Sequence, residues 1–270
     1  MKEEIEIPPD HPRAESLRIR EKLVSNYRLG IVVPQGLIAQ GRGEAFDYLL
    51  GERTIKPAFK AINAAGAAML LAKHPVISVN GNSTALAAKE LVELAKVTGS
   101  KIEVNLFYRS IEREIAIEKA LVNAGAKEVL GIGNKASARI PELSSERRKV
   151  DARGIYSADL VLVPLEDGDR TEALRKMGKN VIAIDLNPLS RTACYASITI
   201  VDNIVRALPL LIDEVQRLKF KGKKELWRIV KRFDNEKNLG DCIRFMAKRL
   251  MEIKKRKSIY PEASERLLKI

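Results

Sequence analysis

The sequence predicts an α/β protein with a doubly wound, mostly parallel sheet, a helical segment before it and a helical appendage after it. Short apolar runs rich in β-branched residues recur at 76–79, 102–107, 129–132, 160–164, 181–184 and 198–201. Stretches with helical spacing lie between them, and such alternation is how strands buried on both faces of a parallel sheet read. Three of the runs end on a carboxylate followed by small polar residues, at Glu166-Asp-Gly-Asp-Arg170, Asp185-Leu-Asn187 and Asp202-Asn203. In sheets of this Rossmann-like type, ligands sit in the crevice beyond the carboxyl ends of the strands.

Residues 1–74 read as an N-terminal helical segment packed on the core. His11-Pro12 opens a helix striped by Leu17, Arg20, Leu23 and Val24. Further on, Gly41 and Gly43 leave Arg42 on a permissive backbone, with regular helical spacing expected only from Glu44. An alanine-rich helix over 56–73 leads into the sheet. Residues 75–218 form the α/β core, six strand–helix units in one sheet. After the first strand, Asn80-Gly-Asn-Ser-Thr84 offers Gly81 for a tight turn and Ser83 or Thr84 as a helix cap. The free N–H groups of that first turn form either an ordinary capped helix start or an anion cradle flanked by Asn80 and Asn82. Arg109, just past the second strand, is read either as adding positive charge to the same crevice or as a surface residue. The polar 133–154 connection is expected to wrap the surface. Residues 219–270 form two amphipathic helices, striped by Leu226, Ile229, Val230 and Phe233 and by Ile243, Met246, Leu250 and Ile253.

Composition narrows the function. The net charge of +13 is concentrated in 219–270, where 17 basic residues face 7 acidic ones. A nucleic-acid-binding role for that tail is one reading. A solvated helix surface accounts for the charge better, since the run Lys254-Lys-Arg-Lys257 has only Tyr260 near it as an aromatic platform. The two histidines, His11 and His74, exclude a His/Cys metal cage, and Cys194 and Cys242 stand apart. The thiols suit a reducing, cytoplasmic setting. No apolar stretch is long enough to span a membrane, and the acidic first residues lack the apolar run of a signal peptide.

No GxxxxGK[ST] is present. Gly131-Ile-Gly-Asn-Lys-Ala136 matches a dinucleotide fingerprint only formally, because Pro141 interrupts the helix that fingerprint needs. Asp167 and Asp169, clustered with Glu166, suit Mg²⁺ held jointly with phosphates or a helix cap. Asp185 and Asn187 can read a ribose or a base, and Arg191 with Thr192 a phosphate. Asn203 adds a polar group at the third strand end.

Five strings occur in order: Gly-Leu-Ile-Ala-Gln-Gly-Arg-Gly-Glu-Ala-Phe-Asp-Tyr, Val-Asn-Gly-Asn, Asn-Leu-Phe-Tyr-Arg, Pro-Leu-Glu-Asp-Gly-Asp-Arg-Thr-Glu-Ala-Leu and Ile-Asp-Leu-Asn-Pro-Leu-Ser-Arg-Thr. Together they resemble the archaeal phosphopantothenate synthetases, the 4-phosphopantoate–β-alanine ligases of coenzyme A biosynthesis, over residues 11–218. The resemblance implies a cytoplasmic homodimer that joins 4-phosphopantoate to β-alanine and converts ATP to AMP and pyrophosphate. It carries ATP contacts onto Arg20, Arg42, Asp185, Leu186, Asn187, Arg191, Thr192, Asn203 and Ile204, with Arg42 also the candidate catalytic group. Phosphopantoate is expected at Asn80, Asn82 and Arg109, and Mg²⁺ with ATP at Asp167 and Asp169. Gln40 departs from the pattern, since several members of the family carry His there. An ADP-forming kinase on the same fold is the nearest alternative.

Overall fold

A computed structural model describes residues 7–255. Its five-stranded parallel sheet has the order β2 (Lys101–Val104), β1 (Pro75–Val79), β5 (Leu160–Pro164), β6 (Asn180–Ile184) and β7 (Ile198–Ile200). The 129–132 run does not form a strand of its own. It joins the outer edge of β2 through one parallel bridge, Glu103 to Leu130, with Val104 N–H donating to the Leu130 carbonyl (3.0 Å) and Leu130 N–H to Ile102 (2.8 Å). Gly131 follows with φ +80°, where a Cβ would press on the Val104 carbonyl. The backbone therefore turns away after a single pairing. With that bridge counted, the order is the Rossmann one, and its reversal falls between β1 and β5.

Alternate residues of the strands face two different layers. Ile77, Val79, Leu160, Leu162, Ile182 and Ile184 pack under α3 (Lys56–Leu71), α4 (Gly81–Thr98), α5 (Ile111–Asn123) and α8 (Ile204–Leu218). On the opposite face, Val76, Val161, Val163, Val181 and Ala183 are covered by Ala173 and Leu174 of α6 (Gly168–Lys176) and by Ile140, Leu143, Val150 and Ile155. The 133–154 connection is thus core on one side and not a surface wrap. It contains a two-residue-deep antiparallel pair, β3 (Ala138–Arg139) with β4 (Lys149–Val150). The apolar residues spaced along it satisfy the second sheet face where a helix would otherwise lie.

Before the sheet come α1 (Ala14–Arg28) and α2 (Pro34–Leu50). The helix α2 runs unbroken through Gly41 and Gly43, neither of which has positive φ. The expected break before Glu44 is absent because Pro34 starts the helix early and neighbouring elements hold its interior. After the sheet, α9 (Lys223–Arg232) seats Leu226 against Ala67 and Leu218, with Ile229 and Val230 beside it. On α10 (Asn235–Lys255) the buried stripe is Leu239, Cys242 and Met246, packed on Leu50, Ile55 and Ala58. Of the stripe expected there only Met246 is buried, since Ile243 and Leu250 are exposed. The buried face is rotated by one position, towards the floor that α2 and α3 provide. The side chains of Ile253, of the 254–257 basic run and of Tyr260 lie outside the described residues. No helix among the described residues is long and apolar enough to cross a membrane.

Candidate active site

At the β1 end the chain leaves the sheet at Asn80. Its side chain accepts from Ser83 N–H (3.0 Å), while Ser83 Oγ accepts from Asn80 N–H (2.9 Å), a reciprocal cap that starts α4 at Gly81. Asn80 also donates to the carbonyls of Pro164 and Leu165, both at 3.0 Å. The cap is therefore Asn80 and not Ser83 or Thr84. Its amide joins the β1 and β5 ends across the switch point. Asn82 donates to the Gly36 carbonyl of α2 (2.8 Å). A Cβ on Gly81 would collide with the Ile31 carbonyl and the Arg113 guanidinium, which shows how closely that arginine lies on the α4 N-terminus.

Arg109 is engaged within the protein. Its guanidinium is taken up by the carbonyls of Gly131 (2.6 Å) and Lys149 (3.3 Å) and by Glu114. Arg113, four residues on, lies against the α4 N-terminus. It is held by the carbonyls of Ile31 (3.0 Å) and Tyr108 (2.7 Å). Burial, with Arg147 nearby, pushes it down to about 10. A guanidinium so placed at a helix N-terminus favours an anion.

At the β5 end Leu165 takes a left-handed conformation, φ 55°, unusual for a branched residue. Glu166 follows, its side chain 1% exposed and ion-paired to both Arg147 and the fully buried Arg170. Arg170 also donates to Ser78 Oγ of β1 (3.1 Å). Asp167 pairs with Arg147 Nε at 2.8 Å, and Asp169 is exposed. No three His, Cys, Asp or Glu side chains among the described residues are grouped to hold a metal. The donor set therefore does not form a protein cage. It fits a Mg²⁺ whose ligands come mainly from phosphate oxygens, the usual arrangement for this ion.

At the β6 end Asp185 accepts from Asn187 N–H (2.9 Å) and from the Ser190 hydroxyl. Burial pushes its carboxyl up, opposed by those hydrogen bonds and by the charge of Arg42. Gly43 lies against Leu186, where an added Cβ would stand 3.6 Å from its methyl, so α2 crosses directly above this loop. Arg42 is exposed and makes no hydrogen bond or ion pair among the described residues. Thr192 donates to the Glu166 carbonyl (2.7 Å), tying the β5 and β6 ends together. Arg191 pairs with Glu172 (3.0 Å) at the exposed edge of α7 (Arg191–Tyr195). At the β7 end Asn203 caps α8 and donates to Asp47 of α2 (2.9 Å), with Ile204 buried behind it. Arg20 of α1 pairs with Glu44 of α2 at 2.5 Å. One rim thus runs along the ends of β1, β5, β6 and β7, spanned by α2.

A phosphopantothenate/pantothenate synthetase family model matches residues 57–249. The chain belongs to this family. Curated relatives named 4-phosphopantoate–β-alanine ligase include one from Thermococcus kodakarensis, 53% identical, with 92% of this chain aligned to 95% of that protein. Those from Methanosarcina mazei and Methanospirillum hungatei are 54% and 45% identical, covering 88% and 92% of this chain and 93% and 99% of theirs. Arg20, Arg42, Asn82, Asp185–Asn187, Thr192 and Asn203 lie on or beside the rim, while Asn80 and Arg109 are bonded to backbone carbonyls. Arg113, Arg147 and Arg170 stand beside Glu166 and the strand ends without having been singled out from the sequence. Only Glu166 had a local signal, as part of the acidic cluster. Arg147 lies in a run, Glu146-Arg-Arg-Lys149, that reads as solvated, and nothing local marks it as buried. A cavity of about 480 Å³ between α4, α5 and α8, near Lys89 and Asp213, opens on the helical face away from the strand ends.

Proposed function

We propose that this chain is a 4-phosphopantoate–β-alanine ligase of coenzyme A biosynthesis, a cytoplasmic homodimer that converts ATP to AMP and pyrophosphate. The observation that carries the reading is the rim itself, where an anion cradle and an arginine-flanked nucleotide loop share one crevice. The names of the relatives supply the substrate class. Exposed Ile243, Leu250 and Met251 on α10 fit a dimer contact.

In this reading the phosphate of 4-phosphopantoate sits at the α4 N-terminus beside Gly81, Asn82 and Arg113. ATP lies along Asp185–Asn187, Arg191–Thr192 and Asn203–Ile204, with Arg20 and Arg42 offsetting triphosphate charge. Mg²⁺ would be held through phosphate oxygens near Asp167 and Asp169 and would neutralise charge on the leaving pyrophosphate. The pantoate carboxylate attacks the α-phosphorus, pyrophosphate leaves, and an acyl adenylate forms. The amine of β-alanine then attacks the acyl carbon, AMP departs and one proton is released. The protein holds the reactants in line and keeps water from the mixed anhydride.

Purified protein given ATP, β-alanine and 4-phosphopantoate should yield AMP, pyrophosphate and 4′-phosphopantothenate. Pantoate without its phosphate should react poorly. ADP as product would replace the adenylate route with an acyl phosphate. Arg42→Ala should lower turnover on the order of 100-fold, and near-normal turnover would remove Arg42 from the chemistry.

A further inference from the structure

Three of the residues assigned above to ATP arrive on different elements: Arg20 on α1, Arg42 on α2 and Asn203 at the start of α8. Groups so far apart along the chain keep one geometry only if their elements are fixed to one another. A single guanidinium does this. Arg206, in the first turn of α8, donates to Glu15 of α1 (3.0 Å) and to both carboxylate oxygens of Asp47 of α2 (2.5 and 3.2 Å). It also donates to Asp202, just past β7, from Nη2 (2.8 Å) and Nε (3.0 Å). Every N–H of the guanidinium fork is thereby used. Both aspartates are buried, where such bonds are strongest.

Asp47 has a second partner. Asn203 donates from Nδ2 to Asp47 Oδ2 (2.9 Å), while its Oδ1 accepts from Val205 N–H (3.3 Å). A carboxylate can only accept, so Asp47 dictates which end of the Asn203 amide turns to α2 and which caps α8. One amide N–H of Asn203 is left over. The Ile204 N–H, first of α8, makes no hydrogen bond among the described residues either.

We propose that Asp47 and Arg206 are positioning residues of the nucleotide site. Arg206 locks the Asp47 carboxylate, and Asp47 sets the Asn203 amide while clamping α2, and with it Arg42, over the strand ends. The inference rests on the ligase reading, which lays ATP against Arg20, Arg42 and Asn203–Ile204. Neither positioning side chain has to touch the nucleotide. Lysine cannot replace Arg206, because an ammonium is a compact point charge without the planar fork that spans Glu15, Asp47 and Asp202.

Calorimetric titration with ATP and Mg²⁺ reads the site in wild type and variants. Asp47→Ala should weaken ATP about tenfold, the loss of one hydrogen bond to a charged group, with KM for β-alanine in the full reaction moved less than about twofold. Asp47→Asn still accepts from Asn203 and should recover part of the loss. Arg206→Lys should weaken ATP likewise, and carries the expectation alone if Asp47→Ala is too unstable to titrate. Thr54 donates to Asp202 Oδ2 (2.6 Å) in the same network and bonds to neither Asp47 nor Asn203. Thr54→Val should therefore lower the thermal midpoint and leave ATP affinity within about twofold. The double variant Asp47→Ala/Asn203→Ala should bind ATP more tightly than the two single losses multiplied together predict, because Asp47 works partly through Asn203. Losses that simply multiply, a Thr54→Val loss as large as that of Arg206→Lys, or wild-type affinity in Arg206→Lys would each overturn the positioning role. Wild type that binds ATP and forms no AMP from 4-phosphopantoate and β-alanine overturns the ligase reading alone, and the titrations still decide the pair. Wild type that does not bind ATP removes both.

Discussion

Replacing Arg170 with Met tests what the buried carboxylate at the switch point requires. Arg170 is fully buried, Glu166 almost so, and the pair bridges β5 to β1 through Ser78. Met retains much of the apolar stem but removes the charge. Deleting one partner of a buried ion pair costs about 3–5 kcal/mol, mostly because the other charge is left without compensation. Here Arg147 still holds Glu166, so the cost should fall near about 3 kcal/mol. For a chain of this size that is a loss of roughly 6–12 °C in thermal midpoint. Urea unfolding at pH 7 should show a lower midpoint with an unchanged slope. The companion Glu166→Gln and the double variant Arg170→Met/Glu166→Gln complete the cycle. If the carboxylate is the liability, the double variant should cost less than the sum of the two by about 1–3 kcal/mol. Costs that simply add would refute the reasoning and leave Arg170 as packing alone.

Two further predictions concern the frame of the site. Glu103 is fully buried, accepts from the N–H groups of Asp151 (2.9 Å) and Ile155 (2.6 Å), and is pushed up to about 7, mainly by burial. The folded state therefore keeps a proton that the unfolded chain sheds near 4.5, and this group removes stability as pH rises from about 4.5 to 7. The effect should be of order 2–3 kcal/mol. Urea midpoints should fall between pH 5 and 7.5 in wild type and much less in Glu103→Gln; equal slopes would contradict the shift. Gly81→Ala puts a methyl against the Ile31 carbonyl and Arg113. It should cost about 1–3 kcal/mol and weaken 4-phosphopantoate binding in calorimetry, with unaltered affinity counting against the cradle.

The sequence by itself determined the elements whose signals are local. The strands at 75–79, 160–164, 180–184 and 198–200 are continuous apolar runs because a sheet covered on both faces leaves no polar position along them. Ser110, Ser190 and Asn203 cap the helices that follow because their short side chains reach the next N–H groups, whereas the α4 cap fell to Asn80 and not to Ser83 or Thr84. The strings that place the chain in its family were equally legible.

Tertiary structure alone decided what those caps and charges do. The uninterrupted course of α2 over the strand ends depends on Gly36, Gly43 and Asp47 meeting Asn82, Leu186 and Asn203, residues far away along the chain. Arg147 looks solvated in its run and is buried where it pairs with Glu166, just beyond the end of the central strand β5. Arg109 and Arg113 have the same local character, and only the fold sets one against Gly131 and Glu114 and the other against Ile31 at the start of α4. Local propensity fixes what a segment becomes, whereas the role of a charge follows from the partners that folding brings within reach.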